Sequence, residues 1–411
     1  MSKRMTFYYD IVCPFAYLAA ERISRLPQGI RERIDWQPVH LGGLLRLTRG
    51  ETNPMNVMSA ARLRMNALDL TRWAQRLDLP LSMVNEHPMR TTDAVRHLSI
   101  LEGEERERVS RAYFRGYWSS GSAAHWGQVN ALAADELREL KTHERARETL
   151  HANTQRAFEA GACGVPTFVV GDELFWGQDR LFQALSLLTD TTVTEDVSLD
   201  RFSSVGPPIG VDFYHDFSSP FSYLASTQIR ALCSRWGAGF TPKPILLGAL
   251  FKSIGTADVP LLTFSRAKQA YMAKDLARWS EIWGVPFEFP TSFPIRTVTP
   301  LRLAIVEPEL TASLYRWAWA ENHNIGDDET LRGLLTAEGY DADVLLARTQ
   351  DAEIKDILRT NTNAAQDAGI CGVPSFIVKF PYGEQLVWGQ DRLSFVEWML
   401  KGWFPSSTEN R

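Results

Sequence analysis

Two residues of this 411-residue chain combine chemically useful side chains with the same local setting: Cys13 in Cys13-Pro-Phe-Ala16 and Ser219 in Ser219-Pro-Phe-Ser222. Each follows a short β-branched and aromatic run and stands before a proline, the residue suited to a helix's first position. A helix N-terminus carries partial positive charge and unpaired N–H donors. A thiolate placed there is stabilised, whether it belongs to a cysteine or to a bound ligand. Neither tetrapeptide holds a thiol pair, so neither can cycle internally between dithiol and disulfide. Ser219 does no redox chemistry, but its hydroxyl can donate a hydrogen bond to a sulfur. For Cys13 the expectation is a thiol that ionises easily and reacts faster than Cys233, which falls on the apolar side of a helix and reads as a small buried hydrophobe.

The elements that must position these residues occur twice. Phe7–Ala19 matches Phe213–Ala225 at an offset of 206, and so do Asp69–Trp73 with Asp275–Trp279 and Arg90-Thr91 with Arg296-Thr297. Gly164–Phe168 matches Gly372–Phe376 at an offset of 208, and Trp176–Leu181 matches Trp388–Leu393 at 212, because the turn Lys379–Glu384 is longer than Gly171-Asp172. The blocks keep their order, which implies two copies of one domain, 1–195 and 210–411, joined by a linker at 196–209.

Each copy has the same grammar. Strands are expected at Met5–Tyr9 and Ile34–Val39, then at Val211–Tyr214 and Phe240–Ile245, with the proline-led helix between the members of each pair. Helical periodicity follows at Ala60–Leu77, Ala94–Leu101, Arg106–Trp118 and Arg145–Ala160. In the second copy it lies at Ser265–Trp283, Pro300–Val306, Leu310–Asn322 and Glu353–Ala368. Hairpins close each copy: Val165–Val170 with Glu173–Phe175, and Val373–Val378 with Gln385–Val387. A β-α-β unit, a helical insert and a β-β-α unit make an α/β fold of two thioredoxin-like domains, each with an all-α insertion.

In such a fold the prolines Pro166 and Pro374 are expected to follow cis bonds and to face the helix N-terminus. There Val165 and Val373 can pair with an extended peptide ligand; a plain edge-strand proline is the alternative. Gln178-Asp179 and Gln390-Asp391 open the last helix of each copy. There an aspartate serves either as an N-cap or as the acceptor for a ligand's α-ammonium.

Taken together, Phe217–Ala225, Tyr271–Trp279, Gly284–Phe287, Gly372–Pro374 and Trp388–Arg392 resemble the 2-hydroxychromene-2-carboxylate isomerase and kappa-class glutathione transferase family, related to the bacterial periplasmic disulfide oxidoreductases. The resemblance covers essentially all of each copy. It implies that Ser219 contacts the sulfur of glutathione, that Val373 and Pro374 pair with its cysteinyl part, and that Gln390 and Asp391 hold its γ-glutamyl end. It places Lys268 near the glycyl carboxylate or the substrate and gives Asn53 a contact with the tripeptide; the second copy has Val259 there. The first copy departs from the pattern at Cys13, at Arg62 opposite Lys268 and at Met65 opposite Tyr271. It offers Val165, Pro166, Gln178 and Asp179 as its own frame for glutathione.

The implied activity is a glutathione-dependent isomerase, thiolate addition and elimination on an aromatic or polyketide-like small molecule, or transfer of glutathione to it. The fusion implies a pseudo-dimer built within one chain. Two rivals stand beside this reading: a thiol–disulfide oxidoreductase centred on Cys13 and resolved by Cys163, and a non-catalytic module that binds a thiol or peptide.

Composition narrows the rest. A hydrophobic fraction of 45% and a charged fraction of 23% are those of a globular protein. A net charge of −5, with arginines interleaved among acids, points away from nucleic acid. Four cysteines, Cys13, Cys163, Cys233 and Cys371, show no Cys-x-x-Cys or metal-ligand spacing, so no metal is expected. No apolar run suits a membrane span. The N-terminal pattern recurs from Val211, unlike a targeting segment, and the expected location is cytoplasmic. His40, His215 and His323 lack triad spacing and read as surface or satisfied core residues. Trp118 and Trp319 read as core, with the option of walling an aromatic pocket.

Overall fold

The computed structural model describes residues 3–49, 54–194, 206, 208–257 and 259–405. Each repeat forms a four-stranded sheet. In the first, β1 (Met5–Tyr9), β2 (Ile34–Pro38), β3 (Thr167–Val170) and β4 (Glu173–Trp176) lie in the order β2-β1-β3-β4. In the second, β5 (Gly210–His215), β6 (Gly239–Pro244), β7 (Ser375–Phe380) and β8 (Gly383–Trp388) lie in the order β6-β5-β7-β8. The first two strands of each sheet run parallel, Phe7 opposite Trp36 and Phe213 opposite Pro242. A parallel pair needs a crossover, supplied by helices Pro14–Ser24 and Pro220–Arg235. The remaining strands are antiparallel hairpins.

The central strands are buried along nearly their whole length, and β5 buries Asp212 and His215 among its apolar residues. Their aromatic rings stack across the sheet: Phe7 on Phe168 at 5.4 Å and Phe213 on Phe376 at 5.6 Å. Val165-Pro166 and Val373-Pro374, expected as strand, lie just before β3 and β7. Proline has no N–H to give to a ladder, so the pairing begins after it.

The inserted helices fall where periodicity placed them, including Ala60–Arg76, Gly103–Trp118, Arg266–Trp283 and Ala352–Asp367. Helices not anticipated from the sequence include Leu41–Leu47, Ala123–Asp135, Leu247–Ser253, Asp328–Ala337 and Ala342–Arg348. Several carry cap signals that were there to be read. Asp327 accepts from the Thr330 N–H at 2.8 Å, Asp341 from Val344 at 3.1 Å, and Ser122 from His125 at 3.2 Å.

The chain packs into two compact units, and two short segments are exchanged relative to the sequence repeats. The first unit comprises Met1–Val57, Ala67–Val197 and Phe264–Met272; the second comprises Met58–Asn66, Ser198–Thr263 and Ala273–Arg411. Most of the proposed linker, 196–209, lies outside the described residues.

Candidate functional site

Cys13 holds the N-cap position of helix Pro14–Ser24 in extended backbone, and its Sγ donates to the Val165 carbonyl at 3.2 Å. Ser219 holds the same position before helix Pro220–Arg235. Its Oγ donates to the Val373 carbonyl at 3.2 Å and accepts from the Ser222 N–H at 3.2 Å. The Val165-Pro166 and Val373-Pro374 bonds are both cis, as expected. The Pro166 and Pro374 carbonyls accept from Gly177 and Gly389 N–H, each at 2.9 Å. Each unit thus brings together a helix N-terminus, a Val-Pro strand start and a Trp-Gly-Gln-Asp turn.

Electrostatics corrects one expectation. The Cys13 thiol is pushed up to about 12 by burial; the Ala16 and Phe15 N–H groups pull it down, and the Asp10 charge adds to the rise. The helix N-terminus does act on this sulfur, but desolvation outweighs it. With 7% exposure Cys13 is a protonated, shielded thiol, not the easily ionised one anticipated. Burial pushes Cys233, Cys163 and Cys371 up to about 11. Lys268 favours the Cys163 thiolate and Arg62 that of Cys371.

Two buried aspartates fix the loops that present Cys13 and Ser219. Asp10 accepts from Val12 N–H at 3.2 Å, Leu41 N–H at 2.8 Å and Thr91 Oγ1 at 3.1 Å. Asp216 accepts from Ser218 N–H and Leu247 N–H, each at 2.9 Å. Burial raises the pKa of both despite these bonds. Sequence reasoning passed them over, although they stand at one position of the repeat. Trp118 and Trp319 belong to the same support: their indole N–H groups donate to Ile11 and Phe217 carbonyls at 2.8 Å. Both rings are buried core, and the carbonyls they hold stand two residues before Cys13 and Ser219.

The other expected site residues distribute unevenly. Gln178 is buried, and its carbonyl and Oε1 accept from Arg22 Nη1 at 2.7 and 2.8 Å, which ties the last turn to helix Pro14–Ser24. Gln390 is likewise buried. Asp179 pairs with Arg180 at 2.9 Å and Asp391 with Arg392 at 3.3 Å. Neither is a helix N-cap: both lie inside 3-10 turns, Gln178–Arg180 and Gln390–Arg392.

Lys268, expected with the second copy, packs in the first unit, its Nζ 3.6 Å from the Phe264 ring centre and 5.6 Å from that of Trp176. Tyr271 joins it there, accepting from Trp176 N–H at 3.1 Å and donating to its carbonyl at 3.2 Å. The physical reason is the spacing of Lys268 and Tyr271, which puts them on one face of helix Arg266–Trp283 against a tryptophan, with Phe264 just before the helix packing on the Lys268 ammonium. In the second unit Arg62 takes the matching place, 3.8 Å over the Trp388 ring. Asn53 lies outside the described residues. His215 is fully buried, its Nδ1 2.9 Å from Tyr315 OH, whereas His323 sits near the surface 3.7 Å from Glu321.

Among the described residues no helix is long and apolar enough to cross a membrane.

Comparison with known proteins agrees with this architecture. The DSBA-like thioredoxin domain matches residues 4–189 and again 210–401. A 2-hydroxychromene-2-carboxylate isomerase of Pseudomonas putida is 30% identical over 189 residues, spanning 44% of this chain and 92% of that protein. Glutathione s-transferase kappa 2 of Caenorhabditis elegans is 29% identical over 202 residues, spanning 44% of this chain and 88% of its own. A solved 2-hydroxychromene-2-carboxylate isomerase aligns at a TM-score of 0.36 and 27% identity, covering 45% of this chain and 94% of that one. Each relative corresponds to a single repeat. The chain is a tandem-duplicated member of the DSBA-like thioredoxin domain family, related within it to the 2-hydroxychromene-2-carboxylate isomerases and kappa-class glutathione transferases.

Proposed function

We propose that the chain is a glutathione-dependent enzyme acting by thiolate addition on an electron-poor aromatic or polyketide-like substrate, with its working site in the second repeat. Elimination after addition makes it an isomerase; stopping after addition makes it a transferase. The observation that carries the reading is the Ser219 hydroxyl, poised at a helix N-terminus opposite the Val373 carbonyl.

Bound glutathione supplies the nucleophilic thiolate. The Ser219 hydroxyl, turning its one proton from the Val373 carbonyl to that sulfur, supplies a hydrogen bond, and the helix N-terminus favours the anionic form. Val373 and Pro374 offer backbone groups to the cysteinyl part, while Asp391, supported by Gln390, receives the γ-glutamyl ammonium. A neutral hydroxyl in this place suits holding a thiolate, because it can neither be oxidised nor form a mixed disulfide with the ligand. In the first repeat Val165, Pro166, Gln178 and Asp179 keep the same frame, and Cys13 replaces the hydroxyl. The relatives named as isomerases and glutathione transferases support this assignment.

Calorimetry with glutathione and the full chain tests it. Asp391→Ala is expected to weaken binding by about 1.5–3 kcal/mol, the scale for a charged hydrogen bond. Unchanged affinity would remove Asp391 from the site, and absence of saturable binding to the unmodified chain would sink the proposal.

A further inference from the structure

The first unit carries a second concave site, lined by none of Cys13, Val165, Pro166, Gln178 or Asp179. A cleft of about 470 Å³ opens between helices Leu41–Leu47, Thr92–Ile100 and Leu140–Glu159. Its walls include Arg46, Arg96, Arg147, His40 and His151, with the Thr154 hydroxyl, and no carboxylate lines it. The chain as a whole is negative, at −5, so this concentration of cations runs against the background.

The cations are poorly neutralised. Arg96 lies 3.6 Å from Asp93, which is shared with Arg90 at 3.3 Å, and its Nη1 is 3.5 Å from His143 Nε2. The side chains of Arg46 and Arg147 make no ion pair or hydrogen bond among the described residues. The ring of His40 is held: Nδ1 accepts from the Gly43 N–H at 2.9 Å, so its proton sits on Nε2 as a donor. Gly43 lets this approach happen, since a Cβ there would stand 3.2 Å from His40 Nδ1 and 3.6 Å from Thr154 Cγ2.

The second repeat keeps the charges. Arg46 and Arg96 correspond to Lys252 and Arg302 at the offset of 206, and Arg147 and His151 to Lys355 and Arg359 at 208. The alignment is physical as well: His40 N–H donates to Thr154 Oγ1 at 3.0 Å, and Leu246 N–H to Thr362 Oγ1 at 3.1 Å. Three positions thus carry a lysine or arginine in both copies, and the fourth pairs a histidine with an arginine. The second copy lacks the His40 donor, and there Arg359 is paired with Asp356 at 2.9 Å.

The geometry points to an anion-binding site in the first unit for a phosphoryl-bearing small molecule. Guanidinium groups from three helices suit a compact anion with several acceptor oxygens, because each fork engages two of them.

Titration of the full chain with inorganic pyrophosphate at physiological salt tests this. Saturable binding in the sub-millimolar range is expected. The double substitution Arg46→Ala, Arg147→Ala should raise the Kd at least about tenfold, and Arg46→Lys, Arg147→Lys by a smaller factor, because charge without the fork retains only part of the contact. Both arginines are exposed, so the unfolding midpoint should not move. Absence of saturable binding, or the unmodified Kd in the alanine double variant, overturns the site. Equal affinity for citrate overturns its assignment to phosphoryl groups. None of these outcomes depends on glutathione binding.

Discussion

The Cys13 thiol and the Ser219 hydroxyl donate to valine carbonyls across the same 3.2 Å, yet their surroundings differ. Ser219 also caps its helix, accepting from Ser222, whereas Cys13 makes no side-chain cap bond. Beneath Ser219 lie Ser222, His215 and Tyr315; the corresponding residues beneath Cys13 are Ala16, Tyr9 and Phe114. His215 Nδ1 and Tyr315 OH are 2.9 Å apart, and Tyr315 also donates to the Asp216 carbonyl at 3.3 Å. In the first repeat Tyr9 OH instead meets Ser110 at 2.6 Å. The frame of backbone bonds has been kept in both copies, while the buried side chains behind it have diverged. One frame therefore holds a histidine–tyrosine chain and a hydroxyl, the other Ala16, Phe114 and a tyrosine bonded to Ser110, with a protonated thiol.

The sharpest way to break this comparison is catalytic. Ser219→Ala should lower kcat/KM for glutathione-dependent turnover about 100-fold, the scale of one lost donor to developing charge, while Cys13→Ala should stay within about twofold. Equal losses in steady-state assays would make the first repeat a working site.

The next test uses pH. Burial lowers the His215 pKa to about 3, so the folded state favours its neutral form. Its contribution to stability is fully present above about pH 6.5 and is lost as pH falls from there towards 3. In chemical denaturation across that window, His215→Phe should remove its component of the slope, by up to about 1.4 kcal/mol per pH unit. An unchanged slope would mean that His215 protonates in the folded protein as readily as in the unfolded chain.

Tyr315→Phe copies the first repeat's Phe114 and strips His215 of its partner. A loss of about 1–3 kcal/mol is expected, since a buried ring nitrogen is left unsatisfied. A neutral result would show that the polar chain adds nothing to the second repeat.

The smallest expected effect is the difference between Cys13 and Cys233 in limited iodoacetamide labelling followed by mass spectrometry. With their pKa values pushed up to about 12 and about 11, both should label slowly and to similar extents at neutral pH. Selective labelling of Cys13 would restore it as a reactive centre.

Local features were legible in the residues alone. The duplicated blocks, the strand runs Met5–Tyr9 and Val211–Tyr214, the helix-opening prolines and the Val-Pro pairs follow from periodicity and from backbone restrictions that each residue carries wherever it stands. Cap signals at Ser122, Asp327 and Asp341 were equally local and were simply not used. Non-local features arise only once the chain is folded. The partial charge at a helix N-terminus is legible from Pro14, but the burial that overrides it at Cys13 depends on Val165, more than 150 residues away in sequence, closing over the sulfur. The aspartates Asp10 and Asp216 became visible as supports only when Leu41 and Leu247 were brought to them. Lys268 was recognisable as a residue of interest, yet its partners were set by which tryptophan its helix face met. Propensity acts over a few residues, whereas desolvation and charge pairing are properties of whatever the fold packs alongside.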